Sequence, residues 1–205
     1  CRTQTAGFLF SGYYRTFVLY YSVTIMKVSD IREIPAALRE KVWELYEESF
    51  PEHERRTRSA QATAFADPSA HSEVWLGEEE ELAGIAFYWL FDDTVYLEFL
   101  AIHPSMRGHR IGSGIIDALL TRYPGKRMIL EIEPPVEELA ARRLRFYERL
   151  GFVRNPYAYT HPSYRKGEHA CPHELVIMTH GRIATPEEFA RFTEFMRRVV
   201  WQYAD

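Results

Sequence analysis

Cysteine is nearly absent. Cys1 and Cys171 are the two in 205 residues, too few for a disulfide framework, so the sequence reads as one made for a reducing, cytoplasmic compartment. Basic excess is missing as well. Lys and Arg number 25 against 29 Asp and Glu, a formal net charge of -4, which argues against a nucleic-acid partner. The acidic balance leans instead toward amine-bearing partners. No apolar run approaches the roughly 20 residues that a membrane span requires. Neither G-x-x-x-x-G-K-[ST] nor G-x-G-x-x-G occurs, which removes the P-loop and dinucleotide fingerprints. Internal repeats and low-complexity segments are also lacking.

What is present is an ordinary globular composition, 46% hydrophobic and 26% charged, in a chain long enough for one domain with its own core. Residues 1–25, "CRTQTAGFLFSGYYRTFVLYYSVTI", differ from the rest in carrying two arginines, many aromatics and no acid. They read as an N-terminal extension, non-native or upstream-translated. The domain proper then occupies 26–183, and 184–205 form a C-terminal helix.

The periodicity within the domain sets out a mixed α/β order. A short strand at 25–28 precedes a helix in "AALREKVWELYEESF", whose Leu38, Val42, Leu45 and Tyr46 keep the helical interval until Pro51. A charged connector and a second short helix follow. "SEVWLGEEEELAGIAFYWLF" reads as a hairpin with its turn at 78–81, and "TVYLEFLAI" as the next strand. A helix at about 112–122, a strand in "KRMILEIEP", a helix in "VEELAARRLRFYERLG" ending at Gly151, and strands in "FVRNPYAYT" and "HELVIMTH" complete it. The expected fold is a mixed, mostly antiparallel sheet of six or seven strands flanked by helices. In the C-terminal helix Thr185 caps, Pro186 takes the first position and Glu188 closes a capping box. Its stripe of Phe189, Phe192, Met196, Val199 and Tyr203 either packs on the domain or pairs two subunits of a homodimer.

One stretch carries chemistry. "HPSMRGHRIGSGIIDALL", from His103, places a Pro turn and a basic glycine loop between a strand and a helix. Unpaired amides at a helix start make a seat for an anion. Together with "LEFLAI" before it, "MILEIE" after it, and "RFYERLGF" further on, this order resembles the GNAT superfamily of acyl-CoA N-acyltransferases. The pyrophosphate motif [QR]-x-x-G-x-[GA] falls at residues 107–112, and the C-terminal signature is "FYERLGF" at 146–152. The resemblance spans most of 26–180. Three positions depart from it: Arg110 stands where glycine is usual, Ala140 where asparagine is frequent, and Arg143 where a small residue is usual.

The resemblance implies an N-acetyltransferase. It would move an acetyl group from acetyl-CoA to a primary amine of a small molecule or peptide, by direct attack in a ternary complex. Arg107, Gly108, His109, Arg110, Ile111, Gly112 and Ser113 would wrap the pyrophosphate, with the backbone of Leu100, Ala101 and Ile102 pairing with the pantetheine arm. Tyr147, in "FYE", would protonate the leaving thiolate. Glu98, on a strand face shared with Tyr96, Leu100 and Ile102, leads for the base, with Glu133 second; the alternative is that either carboxylate only binds the ammonium while water removes the proton. Glu54 in "FPEHERRTR" and Tyr159, His161 and Tyr164 in the aromatic loop are acceptor-site candidates, although such a charged run usually forms a solvated surface. His169, Cys171 and His173 alternate, but Pro172 breaks the strand and no metal is expected. The reading left beside the enzyme is a non-catalytic acyl-CoA-binding sensor.

Overall fold

The computed structural model describes residues 8–11, 14–19, 24–167 and 170–205. Cys1 and His169, both weighed above, lie outside the described residues. The strands are β1 (Phe8–Ser11), β2 (Tyr14–Leu19), β3 (Thr24–Asp30), β4 (Ala70–Leu76), β5 (Leu82–Phe91), β6 (Thr94–Ile102) and β7 (Arg127–Ile132). After these come β8 (Phe152–Arg154), β9 (Thr160–His161), β10 (His173–Glu174) and β11 (Val176–His180). The helices are α1 (Ala36–Ser49), α2 (Arg58–Ala64), α3 (Ile111–Arg122), α4 (Glu138–Arg149) and α5 (Pro186–Arg198).

Among the described residues, nine strands make one mixed sheet in the order β1-β2-β3-β4-β5-β6-β7-β11-β8, while β9 and β10 pair separately. Seven of the nine lie from β3 onward, which is the expected sheet. Pairing is antiparallel at β3–β4, β7–β11 and β8–β11, and parallel at β6–β7. A parallel pair needs a crossover, and α3 supplies it.

The chain forms two compact units, through both of which β5 and β6 run. The first comprises Cys1–Ser49, His71–Tyr88 and Phe99–Pro124. Its core is aromatic: Tyr46 of α1 lies 5.9 Å from the Phe87 ring and 5.1 Å from that of Phe99. α1 buries Val42, Leu45 and Tyr46 of the expected stripe and Trp43 beside them, while Leu38 is half-buried. Gly84 is dictated by close approach, since a Cβ there would meet the Ala101 carbonyl at 2.7 Å.

The second unit comprises Phe50–Ala70, Trp89–Glu98 and Gly125–Asp205. α5 carries the expected capping box: Glu188 N–H donates to Thr185 Oγ1 at 3.3 Å, and Thr185 N–H to Glu188 Oε2 at 2.7 Å. Within this unit Phe192 meets Tyr96 at 5.3 Å, and Phe195 stacks on Phe91 at 3.9 Å. Two expected elements are shorter than their sequence pattern. α4 starts at Glu138 rather than at Val136, because Pro134 and Pro135 hold a turn closed by Val136 N–H on the Pro134 carbonyl at 2.7 Å. β8 stops at Arg154. Asn155 N–H still donates to the Ile177 carbonyl at 2.9 Å, its buried side chain donates to Thr179 Oγ1 and accepts from Ala184 N–H, both at 2.8 Å, and Pro156 then has no N–H to carry the ladder on. No helix among the described residues is long and apolar enough to cross a membrane.

Candidate active site

In the first unit the glycine loop is built as a cradle. Gly108 sits at φ 84°, where a Cβ would meet nothing within 4 Å. Arg110 takes a left-handed conformation, φ 61° and ψ 15°, at the N-cap of α3. The first helical bond runs from Gly114 N–H to the Arg110 carbonyl at 3.0 Å. The amides of Ile111, Gly112 and Ser113 therefore precede the ladder, and the helix dipole adds to their attraction for an anion. Arg107 lies back along the chain, its Nε donating to the Ile102 carbonyl at 3.2 Å.

A second backbone feature lies on β6. Its parallel register with β7 runs from Thr94↔Arg127 to Leu97↔Leu130 and ends there. Yet β6 continues to Ile102. The edge of β6 that carries Leu100 and Ile102 thus has no β7 partner among the described residues, and unpaired strand edges accept extended ligands.

The second unit holds the candidate side chains in separate groups. Glu98 does not project from an open apolar face. Its Oε1 accepts from Arg56 Nη1 at 2.9 Å and from the Tyr164 hydroxyl at 2.6 Å, and its Oε2 from Trp89 Nε1 at 2.8 Å. Arg56 is fully buried and also donates to Gln61 Oε1 and to the Val200 carbonyl, each at 2.9 Å. Its guanidinium lies 4.3 Å from the Tyr164 ring centre. The charged run around it is therefore no uniform solvated surface. It sends one arginine into the core, which makes Glu98 a paired carboxylate rather than a free base.

Glu133 forms an ion pair with Arg143. Both charges act on Tyr147, whose hydroxyl is pushed up to about 12, by burial first, with Arg143 opposing and Glu133 reinforcing. Tyr147 packs edge-on against Phe152 at 5.6 Å. Glu54 sits near the same charges. Burial and then Glu133 raise its carboxyl above the usual range, against the pull of His173, His53 and Arg143. Tyr147, Glu133 and Glu54 are thus brought into one electrostatic neighbourhood, and Arg143, a departure from the motif, is part of it.

Glu131, not singled out in the sequence, lies deeper. Its side chain is 8% exposed, and Oε2 accepts from the Tyr96 hydroxyl at 3.0 Å and faces His161 Nε2 at 3.9 Å. Burial pushes this carboxyl up to about 8, against the hydrogen-bonding pull of Tyr159 and Tyr96 and with a smaller push from Glu98. His161 is buried beside Tyr164, ring centres 4.6 Å apart, and desolvation holds it down to about 3, so it is neutral. Tyr159 is buried against the same carboxylate.

The sequence profile of the Acetyltransferase (GNAT) family matches residues 36–152, more than half of the chain. This chain belongs to the GNAT acetyltransferase family. Among solved structures it is similar to a protein described as a GNAT-family acetyltransferase from Bacteroides thetaiotaomicron, with 26% identity and a TM-score of 0.72 over 85% of this chain and 97% of that one. The ribosomal-protein-S18-alanine N-acetyltransferase of Escherichia coli shares the fold at 16% identity and TM-score 0.54, covering 79% and 97% of the two chains. So does a GNAT acetyltransferase from Elizabethkingia anophelis with acetyl-CoA bound, at 10% and 0.51, covering 76% and 97%. No curated protein matches by sequence.

Within a GNAT chain the Arg110 departure has a structural meaning. The position demands a left-handed backbone, which glycine adopts freely and arginine adopts at a cost. Two groups escaped the sequence reading, Arg56 and Glu131. The only signal for Glu131 was an acid among the apolar residues that follow Arg127 in the strand "RMILEI", and the signal for Arg56 was masked by four other charges in the same nine residues.

Proposed function

We propose that this GNAT protein is an N-acetyltransferase that passes the acetyl group of acetyl-CoA directly to a primary amine. The observation that carries the reading is the end of the β6–β7 ladder at Leu97↔Leu130, followed on the same strand by a loop with three unpaired amides. The residues fit coenzyme A in kind. Free strand backbone suits the pantetheine amides, and the cradle of Gly108, Arg110, Ile111, Gly112 and Ser113 suits a diphosphate. When bound, the thioester supplies an activated acetyl carbonyl and a thiolate leaving group.

The chain's own residues then have three tasks. A backbone N–H on the unpaired edge of β6 donates to the charge developing on the carbonyl oxygen. A base takes a proton from the ammonium, which cannot attack while charged. The nitrogen–carbon bond forms, the carbon–sulfur bond breaks, Tyr147, still protonated at neutral pH, donates to the departing sulfur, and the second proton lost by the acylated nitrogen restores the Tyr147 hydroxyl. Glu133 and Arg143 position that hydroxyl by their charges. Glu54, close to them, faces the acceptor, and Glu98 anchors Arg56 and Tyr164.

A panel of primary amines with acetyl-CoA, followed by free thiol, tests this. Turnover with at least one amine, and a kcat lowered about 100-fold in Tyr147→Phe with unchanged coenzyme A affinity, is the expected result. Coenzyme A binding with no thiol release for any amine would replace the enzyme by a sensor.

A further inference from the structure

The reaction needs a base, and neither carboxylate favoured from the sequence is free to serve, since Glu98 answers three donors and Glu133 is held by Arg143. The second unit offers another. Glu131 Oε1 and the Tyr159 hydroxyl that pulls on this carboxyl are buried without a hydrogen bond of ordinary geometry, as are the two ring nitrogens of His161 and the indole N–H of Trp201. These groups are neighbours: His161 Nε2 is 3.9 Å from Glu131 Oε2, and the His161 and Trp201 rings are 6.0 Å apart. Buried polar groups are ordinarily satisfied, and each orphan is costly. Such a concentration calls for an occupant with donors of its own.

We propose that Glu131, seated among Tyr96, Tyr159, His161, Tyr164 and Trp201, binds the ammonium of a compact, singly charged primary amine and takes the proton that the amine must lose. The walls explain the class. Aromatic faces attract a cation by their quadrupoles, and one carboxylate neutralises one charge. His161 is neutral and adds no repulsion. A second charge on the acceptor would be buried without a counter-ion, which costs far more than the cage returns. The inference rests on the acyl-transfer reading above. The protons balance: Glu131 releases its own to solvent as the ammonium enters and regains one from the ammonium before the nitrogen attacks, while the second proton, shed by the acylated nitrogen, replaces the one that Tyr147 gives to sulfur.

Propylamine and tyramine, each with one charge, are compared with spermidine and a lysine-bearing peptide, on wild type, Glu131→Gln and Glu131→Asp. The expected results are a kcat/KM at least 10-fold higher for the two compact amines, and a kcat at least 100-fold lower in Glu131→Gln with coenzyme A affinity retained. Glu131→Asp restores part of the rate. Propylamine binding near pH 7 releases about one proton, read from the dependence of calorimetric heat on buffer, and this release vanishes in Glu131→Gln. The groups facing Glu131 that shape the pH profile are Tyr96 and Glu98 on β6 and Tyr159, with Arg56 and His173 acting through His161. Thiol release that is equal for spermidine and propylamine, or a full kcat in Glu131→Gln, overturns the inference and leaves acetyl transfer standing. Thiol release with no amine at all overturns acetyl transfer itself. If Glu131→Gln fails to bind coenzyme A, the wild-type preference and proton release decide alone.

Discussion

At the scale of single residues, the chemistry turns on which charges are already committed. Glu98 and Arg56, with side chains 1% and 0% exposed, form a buried pair. Removing one partner of such a pair strands the other. Glu98→Gln is expected to lose about 3–5 kcal/mol of stability, measured by urea unfolding, so its activity must be compared at equal folded fraction. Arg110 carries a conformational cost that glycine would not. Arg110→Gly should gain about 1 kcal/mol in the same assay. A rise in KM for acetyl-CoA alongside that gain would show the guanidinium contacting the phosphates. Glu131 links residue and pH. Its carboxyl keeps its proton up to about 8 in the folded chain, against an ordinary value of 4.5. Between those values the unfolded chain binds fewer protons, so this group's contribution to stability falls as pH rises through the window. His161, neutral down to about 3, acts in the opposite sense below 6.5. The difference in unfolding midpoint between wild type and Glu131→Gln should therefore shift toward the variant from pH 5 to pH 8. A constant difference contradicts the burial account.

Secondary structure was legible wherever a local rule set the boundary. The capping box of Thr185 and Glu188 fixed the start of α5, and Gly151, at φ 84°, fixed the end of α4. Thr185→Ala should cost about 1 kcal/mol, seen as a lowered unfolding midpoint. α5 also forms one wall of the proposed cage through Phe192, which lies 5.9 Å from Tyr159 and is fully buried. Phe192→Ala should cost about 3–5 kcal/mol and raise the KM for the amine more than that for acetyl-CoA. Elements set by tertiary partners were not legible. "FVRNPYAYT" alternates like a strand, but past Asn155, whose N–H still meets the Ile177 carbonyl, Pro156 has no N–H and the ladder stops. Arg56 looked like its charged neighbours because burial of an arginine depends on a distant partner, Glu98, forty-two residues on.

For the molecule as a whole, family and fold were carried by the loop motif at residues 107–112 and by "FYERLGF", while of the proposed acceptor cage only Tyr159, His161 and Tyr164 were marked in the sequence, by the aromatic loop that holds them. In the proposed reading backbone holds the cofactor, and it leaves a spacing of glycines and a helix start. The proposed cage adds single side chains from β6, β7 and the C-terminal segment, Tyr96, Glu131 and Trp201, which no local pattern marks. A ligand that binds only the folded chain stabilises it by about 2.7 kcal/mol at a hundred times its dissociation constant. Acetyl-CoA should raise the unfolding temperature accordingly, and Ser113→Pro, which removes one cradle amide, should lessen the shift. The most direct measurement is amide hydrogen exchange with and without acetyl-CoA. Slowed exchange at Leu100, Ile102, Ile111, Gly112 and Ser113 is the predicted result. Exchange at those five amides that is unchanged by saturating acetyl-CoA would contradict the account.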